Sequence, residues 1–244
     1  MQLPLYFISD VHLMLNPSIN EDDKISKLFQ FFDFISGSDG TLIIGGDLFD
    51  FYYEYPHVIP KQYFEVYTQL YQLQKSGTDI HFLLGNHDFW TIDFLSNKLN
   101  MIIHENDMDF ELNGKKFHLT HGDGLLSWER GYRVVKKMIH HRFFIWLFRW
   151  LHPTIGYRFA EWVASRSRHL EHSDEHNEKV QKELVRIATP LIENGIDFFL
   201  TGHYHQHTEK KISSGKLIVL GDWFKTFSYA VFNGKDLVLK KFNS

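Results

Sequence analysis

Along the chain, short apolar runs recur, and each one stops at a polar or glycine-containing cluster. Residues 4–9 lead into Asp10, residues 41–45 into Gly46-Asp47, and residues 80–84 into Gly85-Asn86-His87-Asp88. Residues 117–120 lead likewise into His121-Gly122-Asp123, and residues 197–200 into Gly202-His203-Tyr204-His205. Apolar runs of this length, bounded by turn formers, read as buried strands. Between the first two, Ile25, Leu28, Phe29, Phe32 and Ile35 recur at helical spacing as far as Gly37, which predicts a β-α-β unit. Further helices are predicted over residues 63–74, stopped by Ser76-Gly77, and over residues 178–192, stopped by Asn194-Gly195. From His207 to Phe242, turns at Gly215, Gly221 and Asn233-Gly234 predict a β-meander that completes a second sheet.

Alternating strands and helices imply a layered α/β sandwich, and in such folds ligands gather beyond the carboxyl ends of the strands. A turn after a strand needs only Gly, Asn or Asp. Histidine repeated at several strand ends has no such structural use, so the pattern points to a shared binding rim. Residues 125–175 do not fit the alternation. They hold two predicted helical segments, the first with Phe143, Phe144, Trp146, Leu147, Phe148, Trp150 and Leu151 beside Lys136, Lys137, His140, His141, Arg142 and Arg149. Such a run serves as plain core, or suits a membrane surface or an acyl-chain pocket. A chain of 244 residues is accordingly read as one domain over 1–244 with an inserted helical cap at 125–175.

Composition narrows the chemistry. The 43% hydrophobic and 23% charged content belongs to an ordinary globular protein. The absence of cysteine removes disulfides, thiolate nucleophiles and cysteine-based zinc sites. A formal net charge of -4 argues against nucleic-acid binding through a broad basic field, although a phosphate-bearing ligand remains compatible. The first residues lack the basic stretch and long apolar run of a signal peptide, so a cytoplasmic location is expected.

Singly, Asp10, Asp47 and Asp50 could be helix caps or turn residues, Asn86 a turn residue, and each histidine an ordinary imidazole. Their order carries the signal. Asp10-Val11-His12, Gly46-Asp47-Leu48-Phe49-Asp50, Gly85-Asn86-His87-Asp88, His121-Gly122-Asp123 and Gly202-His203-Tyr204-His205 together resemble the calcineurin-like metallophosphoesterases over residues 10–205. The resemblance implies a four-layer αββα sandwich and two divalent ions. Asp10, His12, Asp47 and His205 would hold the first ion, and Asp47, Asn86, His121 and His203 the second, with Asp47 as the bridge. A carboxylate suits that place because an anion offsets the repulsion of two divalent ions about 3.5–4 Å apart. Mixed oxygen and imidazole donors suit manganese, iron or zinc better than calcium, and the resemblance favours manganese. It also implies that His87 is not a ligand but stabilises or protonates the leaving oxygen, oriented by Asp50.

From His121 onward the chain looks more specifically like the UDP-2,3-diacylglucosamine pyrophosphohydrolases of lipid A synthesis. The matching features are Gly131-Tyr132-Arg133, the cap, Ser165-Arg166-Ser167 and Leu220-Gly221-Asp222-Trp223. That family implies hydrolysis of a nucleotide-lipid to UMP and 2,3-diacylglucosamine 1-phosphate, with Tyr132 and Ser167 at the substrate head group and Arg166 beside them. It also implies an enzyme that visits the cytoplasmic face of the inner membrane without a transmembrane segment. The best-known members carry Arg where this chain has His87. The rival expectations are a calcineurin-like phosphatase or phosphodiesterase acting on another nucleotide, a phosphoprotein or a small phosphoester, and a non-catalytic scaffold of the same fold, which would show replaced ligands.

Overall fold

The computed structural model describes residues 1–16, 21–167 and 173–243, with side chains up to residue 162 in the second of these stretches. In chain order, the first half contains β1 (Leu5–Ile8), α1 (Glu21–Ile35), β2 (Thr41–Ile44), α2 (Phe64–Lys75), β3 (Asp79–Leu83), α3 (Phe94–Asn97), β4 (Ile102–His104), β5 (Met108–Leu112) and β6 (Lys115–Thr120). The helices α4 (Arg130–Ile139), α5 (Arg142–Arg149), α6 (Pro153–Ser167) and α7 (Asp174–Glu193) follow. The chain closes with β7 (Phe198–Thr201), β8 (His207–Ile212), β9 (Gly215–Leu220), β10 (Ser228–Phe232) and β11 (Leu237–Lys241).

Among the described residues the strands form a six-stranded sheet, β11-β10-β1-β2-β3-β4, and a five-stranded sheet, β5-β6-β7-β9-β8. Strand alternation sorts each side chain to one of two faces. In β1, Leu5 and Phe7 meet Phe117, Leu119, Leu200 and Ile218 between the sheets. Tyr6 and Ile8 point the other way, onto Leu28, Phe31 and Phe32 of α1 and Leu70 of α2. In the second sheet Phe199, Leu217 and Val219 turn outward onto Val180, Leu184 and Ala188 of α7. The result is the expected αββα layering, because β1, β2, β7 and β9 carry buried apolar residues on both faces. Each fully buried Leu, Ile or Phe contributes about 1.5–3 kcal/mol of burial.

The β-meander expected from residue 207 onward is divided between the sheets. The β8-β9 hairpin joins β7, whereas β10 and β11 pair beside β1 on the other sheet. The crossing occurs at residues 221–227, where Trp223 is fully buried and its ring centroid lies 5.0 Å from that of Phe31. Trp223 is thus drawn into the core beneath α1, and the chain that leaves it continues on the first sheet. Helix α7 starts at Asp174, four residues before the apolar periodicity begins. Ser173 caps it by accepting the His176 N–H at 3.2 Å, and Asp174 and Glu175 favour the positive end of the helix dipole.

Where two helical segments were expected, the chain forms α4, α5 and α6. His140-His141 interrupts the first, and the His141 ring accepts the N–H of Phe143 at 3.2 Å to start α5. Phe148 faces inward, 4.6 Å from Tyr53 and 5.1 Å from Trp90 between ring centroids. Phe143, Trp146 and Trp150 face outward, and Trp150 is 74% exposed. No helix among the described residues is long and apolar enough to cross a membrane.

Candidate metal centre

The parallel strands β1, β2 and β3 of one sheet and β6 and β7 of the other deliver Asp10, Asp47, Asn86, His121 and His203 to one rim. Main-chain bonds extend the β1-β2 pairing past the strand ends: Asp10 N–H donates to Gly46 O at 3.1 Å and His12 N–H to Asp47 O at 2.9 Å. Asp10, His12, Asp47, His203 and His205 all have positive φ, between 49° and 65°. That backbone is unfavourable for residues with a Cβ, by on the order of 1–2 kcal/mol each. Its recurrence at these five positions marks a constraint set by the site. Gly46 and Gly85 are required by close approach, since a Cβ on Gly46 would strike the His121 ring and one on Gly85 the Asp47 carboxylate.

Imidazole Nε2 atoms converge on two carboxylates that are essentially out of solvent. Asp10 Oδ1 lies 3.3 Å from His205 Nε2 and 3.7 Å from His12 Nε2. Asp47 Oδ2 lies 3.3 Å from His121 Nε2, 3.7 Å from His12 Nε2 and 4.0 Å from His87 Nε2. Asn86 Oδ1 is 3.1 Å from His121 Nε2, and the Nε2 atoms of His12 and His205 are 3.3 Å apart. Three interlocking trios result: Asp10-His12-His205, His12-Asp47-His87 and Asp47-His121-His203. The expected ligands are therefore brought together, with Asp47 shared by two of the trios and His12 by two.

The donor set fits divalent metal. The His121 Nδ1–H donates to Gly45 O at 2.8 Å, which turns its Nε2 inward toward Asp47 and Asn86. Electrostatics call for positive charge at the same place. Burial pushes the His121 imidazole down, yet the Asp47 carboxylate beside it raises it to about 10. Burial would raise the carboxyls of Asp10 and Asp47, but His12 and His205 hold Asp10, and His121 and His87 hold Asp47, well below the usual range. A site that holds its carboxylates charged and draws a proton onto a buried imidazole meets the same demand with a bound cation.

His87 belongs to one of the three trios, with His12 and Asp47, but its Nε2 stands farther from Asp47 Oδ2, at 4.0 Å, than those of His121 and His12 at 3.3 and 3.7 Å. Its Nδ1–H donates to the main-chain carbonyl of Asp50 at 2.6 Å, leaving Nε2 toward the cluster. The expected orientation by Asp50 thus runs through the Asp50 backbone, while Asp50 Oδ1 lies 3.7 Å from His12 Nδ1. Burial lowers the His87 imidazole, but Asp47 and the Asp50 carbonyl more than compensate and raise it. Tyr132 donates its hydroxyl to Asp123 at 2.8 Å, and its ring centroid lies 6.4 Å from that of His203. Arg166 and Ser167 lie at the end of α6, and their side chains fall outside the described residues.

Three supporting residues had no role assigned from sequence. Asp88, the last member of its motif and fully buried, accepts N–H bonds from Gly85 at 2.8 Å and from Asp47 and Phe49 at 3.3 Å, clamping two ligand loops together. Lys24 of α1 donates to His12 O at 2.6 Å. Asp123 accepts Lys136 at 2.7 Å as well as Tyr132, tying α4 to the His121 loop. For Asp88, membership of the Gly-Asn-His-Asp motif was the available signal. For Asp123 it was membership of His121-Gly122-Asp123, whereas Lys24 had none, because a lysine on a helix carries no mark of a partner twelve residues earlier. A cavity of about 670 Å³ opens between the Gly85 loop and helices α4 and α5, lined by Gly85, Trp90, Glu105, Lys136, Arg142 and Arg149 among others.

The layered fold and this cluster define a metal-dependent hydrolase. The calcineurin-like phosphoesterase family model matches residues 3–207, and the chain belongs to that family, whose enzymes use divalent metal ions. Among relatives, the UDP-2,3-diacylglucosamine hydrolase of Porphyromonas gingivalis is 28% identical over 256 residues, covering 98% of each chain. The enzyme of the same name from Histophilus somni is 29% identical over 229 residues, covering 91% of this chain and 93% of its own. A solved structure described as a novel archaeal phosphodiesterase shares the fold with a TM-score of 0.50, at 13% identity, over 98% of this chain and 99% of its own.

Proposed function

We propose that this chain hydrolyses the pyrophosphate bond of UDP-2,3-diacylglucosamine, releasing UMP and 2,3-diacylglucosamine 1-phosphate. The observation that carries this reading is α4 standing beside the carboxylate-imidazole cluster, with Tyr132 near His203 and Lys136 on Asp123, and the cavity that runs from Gly85 to α4 and α5. A two-metal centre suits many phosphoesters, whereas an aromatic cap edged by Lys136, Arg142 and Arg149 suits one that carries acyl chains next to phosphate. The names of the relatives support the same substrate.

On this reading a single domain spans residues 1–244 and residues 125–175 are its cap. Asp10, His12, Asp47 and His205 hold one ion, and Asp47, Asn86, His121 and His203 the other, with manganese preferred over iron or zinc. The bound ions supply Lewis-acid activation of water and offset charge developing on the phosphoryl oxygens. His87, fixed through Nδ1, presents Nε2 to the leaving oxygen and supplies its proton. Tyr132, Arg166 and Ser167 contact the substrate head group. The outward aromatics of α5 and α6 rest against the cytoplasmic face of the inner membrane, where a diacylated substrate resides.

The test is UMP release from UDP-2,3-diacylglucosamine with manganese present. No UMP, with bis(p-nitrophenyl) phosphate still cleaved, would exclude this substrate while leaving the phosphodiester chemistry standing. That outcome favours the second reading, a phosphodiesterase for another nucleotide, which His87 supports because the best-known members of the lipid A family carry Arg there.

A further inference from the structure

Phe224 has no part in the chemistry described so far, yet its surroundings hold it in one place. It belongs to the crossing between β9 and β10, where Asp222 Oδ1 accepts the N–H groups of Phe224, Lys225 and Thr226 at 3.2, 2.7 and 2.8 Å. The preceding residue, Trp223, is buried in the core and donates its N–H to the carbonyl of Asp10 at 3.2 Å. The Phe224 backbone is therefore anchored to a residue of the metal cluster. Its ring nevertheless stays 39% exposed, with its centroid 5.1 Å from the His205 ring and 6.2 Å from the His12 ring. Trp223 already anchors the loop, so Phe224 is not needed for that purpose. An exposed aromatic ring fixed at the rim of a polar cluster is a surface for stacking.

We propose that Phe224 is the platform on which the nucleobase of the substrate stacks, so that the loop after β9 and the cap recognise opposite ends of the pyrophosphate. This rests on the nucleotide reading above. A pyrophosphate diester carries a different group at each end. The cap meets the cluster at His203 through Tyr132, and the cavity beside it reaches Gly85, next to Asn86, whereas Phe224 meets the cluster at His205 and His12. With the acyl-bearing sugar beneath the cap, the nucleoside lies on the Phe224 side. Uracil is flat and uncharged, and the chemistry that recognises such a face is an aromatic ring, at about tenfold in affinity or more per stacked base.

The experiment compares inhibition by UMP and by ribose 5-phosphate, which share the sugar and phosphate and differ in the base. Both are titrated against the manganese-loaded full chain turning over bis(p-nitrophenyl) phosphate, and each variant is referred to its own turnover. Wild type is expected to prefer UMP. In Phe224→Ala the inhibition constant for UMP should rise about tenfold while that for ribose 5-phosphate stays, and Phe224→Trp should restore the preference. An unchanged preference in Phe224→Ala overturns the proposal, as does a wild type without one. An equal rise for both inhibitors with loss of bound metal overturns it too, because Phe224 would then merely support the histidines. Failure of UMP release from the lipid substrate with the base preference intact would reject the lipid assignment and leave the platform standing.

Discussion

The main-chain N–H of His87 donates to Asp47 Oδ1 at 2.9 Å, so the carboxylate shared by two of the imidazole trios also fixes the peptide that carries the candidate proton donor. One side chain thereby sets both the charge of the cluster and the position of His87. Replacing it should disturb both. Asp47→Ala is expected to lower turnover by on the order of 10³-fold or more and to reduce bound metal, measured by rate and by metal analysis of the same sample. Retained metal with full activity would contradict this.

His87 should separate the two effects. His87→Ala leaves the ligand trios of Asp10 and His121 intact, so metal content should stay near wild type while kcat falls by about 10²–10⁴-fold. Replacing the Asp50 side chain should be milder toward His87, because the bond that holds its ring comes from the Asp50 carbonyl. Equal loss of metal and of rate in His87→Ala would instead make His87 a ligand.

His81 of β3 and His104 of β4 form a second imidazole pair away from the centre, with Nδ1 and Nε2 atoms 2.9 Å apart and rings stacked at 5.1 Å. Burial, reinforced by His104, pushes His81 from its ordinary 6.5 down to about 4. A base with a depressed folded-state pKa favours unfolding when protonated. Its contribution to stability is thus complete above about pH 6.5 and declines as pH falls toward 4, by at most about 1.4 kcal/mol per pH unit. Thermal unfolding in chelator should show a shallower pH dependence over that window for His81→Gln than for wild type. Parallel curves would refute the assignment.

Helix α5 offers a test of what its outer face does. Trp146 and Trp150 are 51% and 74% exposed, so Trp146→Ser with Trp150→Ser should change folding stability little, within about 0.5 kcal/mol per site. Co-sedimentation with anionic lipid vesicles should weaken, and turnover of the lipid substrate should suffer more than that of bis(p-nitrophenyl) phosphate. Equal vesicle binding by variant and wild type would remove the membrane from the account.

The convergence of the candidate ligands was legible in the sequence because strand ends place side chains at one rim and because the His- and Asp-bearing clusters occur in a recognisable order. The layer architecture was legible for the same reason, since strands apolar on both faces demand cover on both sides. Short elements such as β4, with Ile102 48% exposed, left too weak a periodic signal. The division of the C-terminal hairpins escaped the sequence as well, because turn residues mark where a chain reverses but not which sheet it rejoins.

What the sequence determined by itself is the inventory: which carboxylates and imidazoles stand at strand ends, and that an aromatic, basic helical segment accompanies them. Only the tertiary structure decided their partnerships. It set Asp10, His12, Asp47, His203 and His205 in left-handed backbone, oriented His87 through a carbonyl rather than a carboxylate, clamped two loops with Asp88, and brought Phe224 to the rim beside His205. Those relations join residues tens to hundreds of positions apart, through main-chain atoms common to every residue. Residue identity carries no trace of them, and the packing of two sheets supplies them.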